Sequence, residues 1–345
     1  MHSRPRTPLA TAIAQVAEAN VFSGVVRVDR VGEPPLVQVH GLADRAHRIP
    51  FTDDTRVAVA SGAKGFTALM VMRLVEDGVL ALDTRARELL GDDLPLVDDD
   101  VTVEHLLAHR SGIGDYLDEE DEAHDLDAHL LTVPAHRLET AESYLEIVDG
   151  LPQVFEPGSR FAYCNGGYIL LALLAERAAG EPFHDLVRRH VIDRAGLART
   201  AYLRSDMLPG DAALGYLHPE GHAEELRTNV LHLPVVGGGD GGIFTTAGDL
   251  VTLWQALDDG RVVAPPTWAE MRRVRSTDGD RAYGLGFWLE GHAAQLTGSD
   301  TGASFESHHG PDRLTWSVLG NTTAGAWPVV KRLRELLAAP DPESY

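Results

Sequence analysis

Cysteine is nearly absent. The only one among the 345 residues is Cys164, so no internal disulfide can form and no cysteine-based metal spacing exists. Positive charge is scarce as well: Lys and Arg number 30 against 52 Asp and Glu, a formal net charge of −22. No basic cluster offsets that balance, which disfavours nucleic acid and anionic membrane surfaces as partners and leaves small molecules. Lysine occurs only as Lys64 and Lys331, so nearly all basic residues are Arg, a compositional bias that keeps the surface soluble. No segment approaches the length of a membrane span. The opening MHSRPRTPLATAIAQVAEAN begins basic, but Gln15, Glu18 and Asn20 interrupt the apolar stretch before any cleavage site. No secretion signal is read there, and a cytoplasmic location is expected.

What is present is a chain that is 44% hydrophobic, enough for one large or two closely packed domains. A helix is expected over 8–19, followed by strands Val21–Arg30 and Leu36–Leu42 about the turn signal Gly32-Glu33-Pro34-Pro35. Residues 62–76 are apolar around almost the whole helical circumference, which predicts a buried helix opened by Ser61. The acidic run Asp115 to Asp127 reads as a solvated loop or lid. Tyr168–Ala179 is the best-defined later helix, stopped by Gly180 and Pro182. A further helix is expected near 246–257, strands at 283–290, 293–298, 302–308 and 313–320, and a closing helix at 327–338. Strands at both ends with helices between predict an α/β (α+β) fold. Residues 1–77 and 241–345 would form an antiparallel sheet domain flanked by helices, residues 78–240 a mostly helical insertion, with the active site between them.

Ser61-Gly62-Ala63-Lys64 places a hydroxyl and an amine three residues apart, on one helical face. A serine hydroxyl needs a neighbouring base, and a lysine desolvated at a buried helix start can serve as one. Backbone N–H groups at that helix end point where an oxyanion would form. Most S-x-x-K strings are only a helix cap and a surface lysine. In a chain with two lysines, one placed before a strongly apolar helix is more telling, and Arg could not act as a base there. Tyr163-Cys164-Asn165 precedes the helix from Tyr168, where a phenol can relay protons and an amide can orient Lys64 or a substrate carbonyl. Three other signals carry less. Gly237, Gly239 and Gly242 fit G-x-G-x-x-G, but Ile243-Phe244-Thr245 separates them from the next helix, unlike a dinucleotide site. His105 and His109 have metal-ligand spacing without a third ligand, so capping or packing is the better reading. Asp240 and Tyr116 are expected near the pocket with no assigned role.

VASGAKGFTALMVMRLVEDGVLALD, LLAHRSGIGDY, FEPGSRFAYCNGGYILLALLAERAAGEPF, GGDGGIFTTAGDLVTLWQAL and TWSVLGN resemble successive blocks of the serine beta-lactamase-related family, which holds class C beta-lactamases, D-alanyl-D-alanine carboxypeptidases and family VIII carboxylesterases. The blocks stand in the family's order over roughly residues 20–335. The resemblance implies a beta-lactamase/transpeptidase-like fold, with Ser61 the acylated nucleophile, Lys64 its general base, Tyr163 the second proton carrier, and Asn165 completing the polar cluster. It also implies that His109-Arg110-Ser111-Gly112 is a structural turn near the cleft. The family's third motif, Lys-Thr-Gly or His-Thr-Gly, falls on Leu296-Thr297-Gly298. Leucine there removes the basic residue that helps bind a substrate carboxylate, which weakens the expectation of penicillin or peptide C-termini as substrates. Thr297 would still donate to substrate, Gly298 would allow close approach, and the N–H of Ser299 would join that of Ser61 as the oxyanion hole. His308-His309-Gly310 is a competing placement, but it stands too near Asn321 for the family's spacing and reads as an exposed strand end before the Pro311-Asp312 turn. The expected activity is a serine hydrolase acting on a small ester or amide without metal or organic cofactor. A transacylase in small-molecule biosynthesis, a D-Ala carboxypeptidase or beta-lactamase, and a catalytically silent binding module are the alternatives.

Overall fold

The computed structural model describes residues 8–117, 125–218 and 225–338. Both ends of the chain supply one eight-stranded antiparallel sheet. Its strands are β1 (Gly24–Asp29), β2 (Leu36–His40), β3 (Ser276–Asp278), β4 (Arg281–Tyr283), β5 (Trp288–Glu290), β6 (Ala293–Asp300), β7 (Ala303–His309) and β8 (Thr315–Gly320), in the order β3-β4-β5-β6-β7-β8-β1-β2. The early hairpin therefore joins the late strands through β1 and β8, with Val25 opposite Leu319 and Val28 opposite Trp316. Helices α1 (Pro8–Ala19) and α5 (Trp327–Ala338) pack on one face around Ile13, Val26, Val318 and Leu333. On the other face lie α2 (Ala63–Glu76), α3 (Asn165–Ala179) and α4 (Ala247–Asp258), which share the larger core.

Helix α2 buries eleven of its fourteen residues, so side chains around most of its circumference leave water, Arg73, Val75 and Glu76 near its C-terminal end excepted. Glycines let this helix lie unusually close to the sheet. A Cβ at Gly62 would stand 2.5 Å from the Phe305 ring, and one at Gly65 would stand 2.3 Å from Leu296 Cδ2. Among the described residues of the 78–240 region the helical segments are α3, a continuous run over 183–195 with a π-turn at Arg188–Ile192, and short turns such as Val103–Leu107. The strand pair Val57–Ala58 and Ile243–Thr245 is extended by Ala201–Tyr202, which stitches this region to the segment leading into α2.

Several expected boundaries shift for local reasons. The run 283–290 is two strands with a turn between them, because Gly286 has a positive φ of 88° and Gly284 donates to the Phe287 carbonyl. Helix α3 begins at Asn165, three residues before Tyr168, because Cys164 Sγ accepts the Gly167 N–H and Asp115 accepts the next free N–H groups. Of the acidic run, residues 118–124 lie outside the described residues. Asp115 and Tyr116 turn inward to the pocket, so the solvated loop expected there does not include them. His309 is no exposed strand end: it is 5% exposed and engages Asp258 and Thr315. Among the described residues no helix is long and apolar enough to cross a membrane.

Candidate active site

Ser61 sits on a single 3-10 turn, Ala60–Gly62, that runs straight into α2. Ala60 before it has φ +45°, a left-handed value costly for an L side chain and found where surrounding structure enforces it. One turn further on, Lys64 is 2% exposed. Its Nζ lies 2.8 Å from Ser61 Oγ, 2.7 Å from Asn165 Oδ1 and 2.9 Å from the Asp240 carbonyl oxygen. These partners offset the cost of burying the amine. Two of them can only accept, whereas a serine hydroxyl can also donate. A neutral amine therefore keeps N–H bonds to Asn165 and Asp240 and turns its lone pair to the Ser61 hydroxyl.

The partners of Lys64 are themselves held. Asn165 is the first residue of α3, and its backbone N–H donates to Asp115 Oδ2 at 2.7 Å while that of Gly166 donates to Oδ1 at 2.9 Å. A carboxylate at a helix N-terminus is favourably placed. Burial nevertheless pushes the Asp115 carboxyl up to about 6, against these hydrogen bonds and the nearby Lys64. Asp240 lies in the glycine cluster, where its carbonyl meets Lys64 and its Oδ2 accepts the Tyr116 phenol at 2.5 Å. The glycines at 237–242 serve close packing: a Cβ at Gly239 would fall 2.1 Å from the Tyr168 carbonyl oxygen.

Tyr163 presents its ring to Lys64, with Nζ 4.9 Å from the ring centroid. The ring is nearly parallel to Trp288, at 8° and 6.3 Å, and lies 4.3 Å from the His109 ring. His109 is buried, has φ +54°, and accepts the Cys164 N–H on Nδ1 at 3.1 Å. That bond places the proton of the neutral ring on Nε2. Burial, then the nearby Lys64, lowers its pKa well below the ordinary value, so the ring stays neutral. His105 is used otherwise, in a capping box with Thr102.

Strand β6 forms the opposite wall. A Cβ at Gly298 would stand 2.6 Å from the Ser61 nitrogen and 2.7 Å from the Val59 carbonyl oxygen, so only glycine lets the strand backbone come this near. Thr297, Gly298 and Ser299 border the same cleft as Ser61 and Tyr163. Thr297 Oγ1 reaches the Phe305 carbonyl at 3.3 Å and Ser299 Oγ that of Thr323 at 3.0 Å. Leu296 faces away from the cleft opening: it is 3% exposed and packs on Gly65.

The structure thus gathers all seven sequence-predicted residues, Ser61, Lys64, Tyr163, Asn165, Thr297, Gly298 and Ser299, around one point. Sequence reasoning did not assign the supporting groups Asp115, His109, the Asp240 carbonyl and Trp288. For His109 and Asp240 a signal existed in their motifs; for Asp115 it was hidden within an acidic run. Two clefts meet at Ser61. One is lined largely by apolar side chains, among them Val57, Leu131, Leu203, Leu208, Leu233 and Phe244, with Asn165, Asp240 and Ser299 at its inner end. The other runs past Tyr163, Thr297 and Trp288 to Arg281.

The Beta-lactamase family model matches residues 9–339, and the chain belongs to the beta-lactamase family. It is similar to Penicillin-binding protein 4* of Bacillus subtilis, 28% identical over 304 residues, which is 84% of this chain and 64% of that protein; the chain thus spans just under two thirds of that relative. It is also similar to Esterase EstB of Burkholderia gladioli, 27% identical over 92% of this chain and 84% of the esterase. Among solved structures, a penicillin binding protein from Bacillus halodurans superposes with a TM-score of 0.86 at 34% identity, covering 94% of this chain and 99% of that one.

Proposed function

We propose that the chain is a serine hydrolase that forms an acyl-enzyme on Ser61 and acts on a small ester or amide. The observation that carries this reading is the buried amine of Lys64, held at 2.8 Å from Ser61 Oγ by two groups that can only accept. Lys64 takes the hydroxyl proton as Ser61 Oγ attacks the substrate carbonyl carbon. The oxyanion then sits between the backbone N–H groups of Ser61 and Ser299, where fixed donors stabilise charge as it develops. Tyr163, beside Lys64, returns a proton to the departing oxygen or nitrogen as its bond to the acyl carbon breaks. Water then attacks the acyl-Ser61 ester, giving a proton to the same pair, and that proton passes to Ser61 Oγ as its bond to the acyl carbon breaks and the acid departs.

The two clefts divide the substrate. Since Tyr163 protonates the leaving group, that group occupies the cleft of Tyr163, Thr297 and Trp288, and the acyl group extends into the apolar cleft. Leu131, Leu203, Leu208 and Leu233 favour an apolar acyl group. An ester as substrate fits the likeness to a protein named as an esterase. Incubation with a fluorophosphonate, followed by peptide mass mapping, tests the proposal. The expected adduct is on Ser61 and is lost in Lys64→Ala. A folded protein that stays unlabelled would remove the hydrolase reading and leave a binding module.

A further inference from the structure

The apolar cleft that opens from Ser61 does not stop at its lining leucines. Part of its wall is built by three loops, 129–131, 203–208 and 229–234, which supply the half-buried side chains of Leu131, Leu203, Leu208 and Leu233. Hydrogen bonds hold these loops in place. His232 Nδ1 meets the His129 carbonyl at 3.0 Å, and the Ser205 N–H donates to the Val235 carbonyl at 2.8 Å.

The residues beside those leucines are apolar too, and they stand in water. Leu130 is 63% exposed, Met207 74% and Leu231 78%, and Val230, itself at the cleft, is 37% exposed. Twelve large apolar side chains are exposed among the described residues, and four of them fall on these three loops. Scattered single residues of this kind are ordinary, but a group gathered around a binding cleft marks a surface that a ligand covers. The arginine of these loops, Arg204, is already held by Glu139 and Asp206 at 3.0 Å each, so a charged ligand end gains no partner from it. The rim is continuous with the leucine-lined wall, and that wall leads to Ser61.

We infer that the acyl group of the substrate is a long, uncharged alkyl chain, whose near part fills the leucine-lined cleft and whose far part lies over Leu130, Met207 and Leu231. The inference rests on the proposed acyl-enzyme reading, which puts the acyl group in this cleft. It turns a general preference for apolar acyl groups into a preference for length, read by side chains that a short acyl group never meets.

The test compares p-nitrophenyl butyrate with p-nitrophenyl decanoate, which share a leaving group and differ only in reach. Wild type should favour the decanoate in kcat/KM. The decanoate-to-butyrate ratio should fall about tenfold in the triple variant Leu130→Ser, Met207→Ser, Leu231→Ser, the gain lost when roughly two methylene groups no longer meet apolar surface. Butyrate turnover should stay at the wild-type value. A wild type that favours butyrate, or a ratio unchanged in the triple variant, overturns the inference while leaving the hydrolase reading intact. Should circular dichroism show the triple variant unfolded, Leu231→Ser alone decides, with a fall of about twofold expected and an unchanged ratio overturning the inference. If neither ester turns over and no Ser61 adduct forms, the hydrolase reading fails by itself. Calorimetric binding of decan-1-ol to wild type and the folded rim variant then decides on the rim, with weaker binding by the variant supporting it and equal or absent binding overturning it.

Discussion

Replacing Lys64 by methionine is expected to lower kcat/KM for an ester by at least about 10³-fold, the scale of a lost general base acting together with its nucleophile. Methionine fills much of the same volume, so the helix packing around Phe66 and Leu69 should survive. The base does not. Two acceptors, Asn165 Oδ1 and the Asp240 carbonyl oxygen, lose the N–H bonds they take from Nζ, and each unpaired buried group costs about 1–3 kcal/mol. A lower melting temperature should therefore accompany the lost activity without unfolding the protein at 25 °C. Lys64→Arg separates charge from basicity. It keeps a cation but cannot accept the Ser61 proton, and it should be as inactive as the methionine variant. Steady-state kinetics on a p-nitrophenyl ester, with circular dichroism to follow folding, checks both. Activity in Lys64→Arg within tenfold of wild type would assign Lys64 an electrostatic role only.

Substituting valine for Gly298 should cost about 10² to 10³ in kcat, the range seen when an oxyanion donor is removed. The physical reason is distance. A Cβ here meets the Ser61 nitrogen at 2.6 Å and the Val59 carbonyl oxygen at 2.7 Å, both backbone atoms that cannot swing aside as a side chain could. Strand β6 and the turn at Ala60–Gly62 must separate, and the Ser61 and Ser299 N–H groups no longer converge on one point. Because the strand stays paired to β5 and β7 along the rest of its length, the protein should remain folded. Kinetics at saturating and limiting ester distinguishes the loss in kcat from weaker binding. A kcat within about threefold of wild type would mean that β6 does not help form the oxyanion site.

Much of this architecture is readable from local pattern. The apolar circumference of 62–76 predicts a core helix, and together with the scarcity of lysine it points Lys64 to the interior, where the structure has it at 2% exposure. The hairpin and closing strands carry enough β-branched and apolar residues to imply one sheet drawn from both ends. Asn165 is readable as a site residue, but not as the first residue of α3. Its helix start depends on Asp115, fifty residues earlier, and on the sulfur of Cys164, and neither is a customary cap in a sequence window. The meaning of Leu296 is only half legible. Its identity removes a cation, but its packing on Gly65 is a consequence of strand register, which a one-residue shift inverts. The spacing of His105 and His109 reads better as capping or packing than as ligation, and the structure has both: His105 caps with Thr102, and His109 takes the Cys164 N–H on Nδ1 and packs its ring on Tyr163.

The oxyanion site and the leaving-group cleft both depend on Ser61 Oγ becoming covalently acylated during turnover. Rapid acid quench during hydrolysis of a p-nitrophenyl ester, followed by peptide mass mapping, measures this directly. An acyl mass is expected on the peptide containing Ser61, absent in Ser61→Ala and strongly reduced in Lys64→Met. Steady ester hydrolysis in which Ser61→Ala retains wild-type turnover and no peptide gains the acyl mass would contradict it.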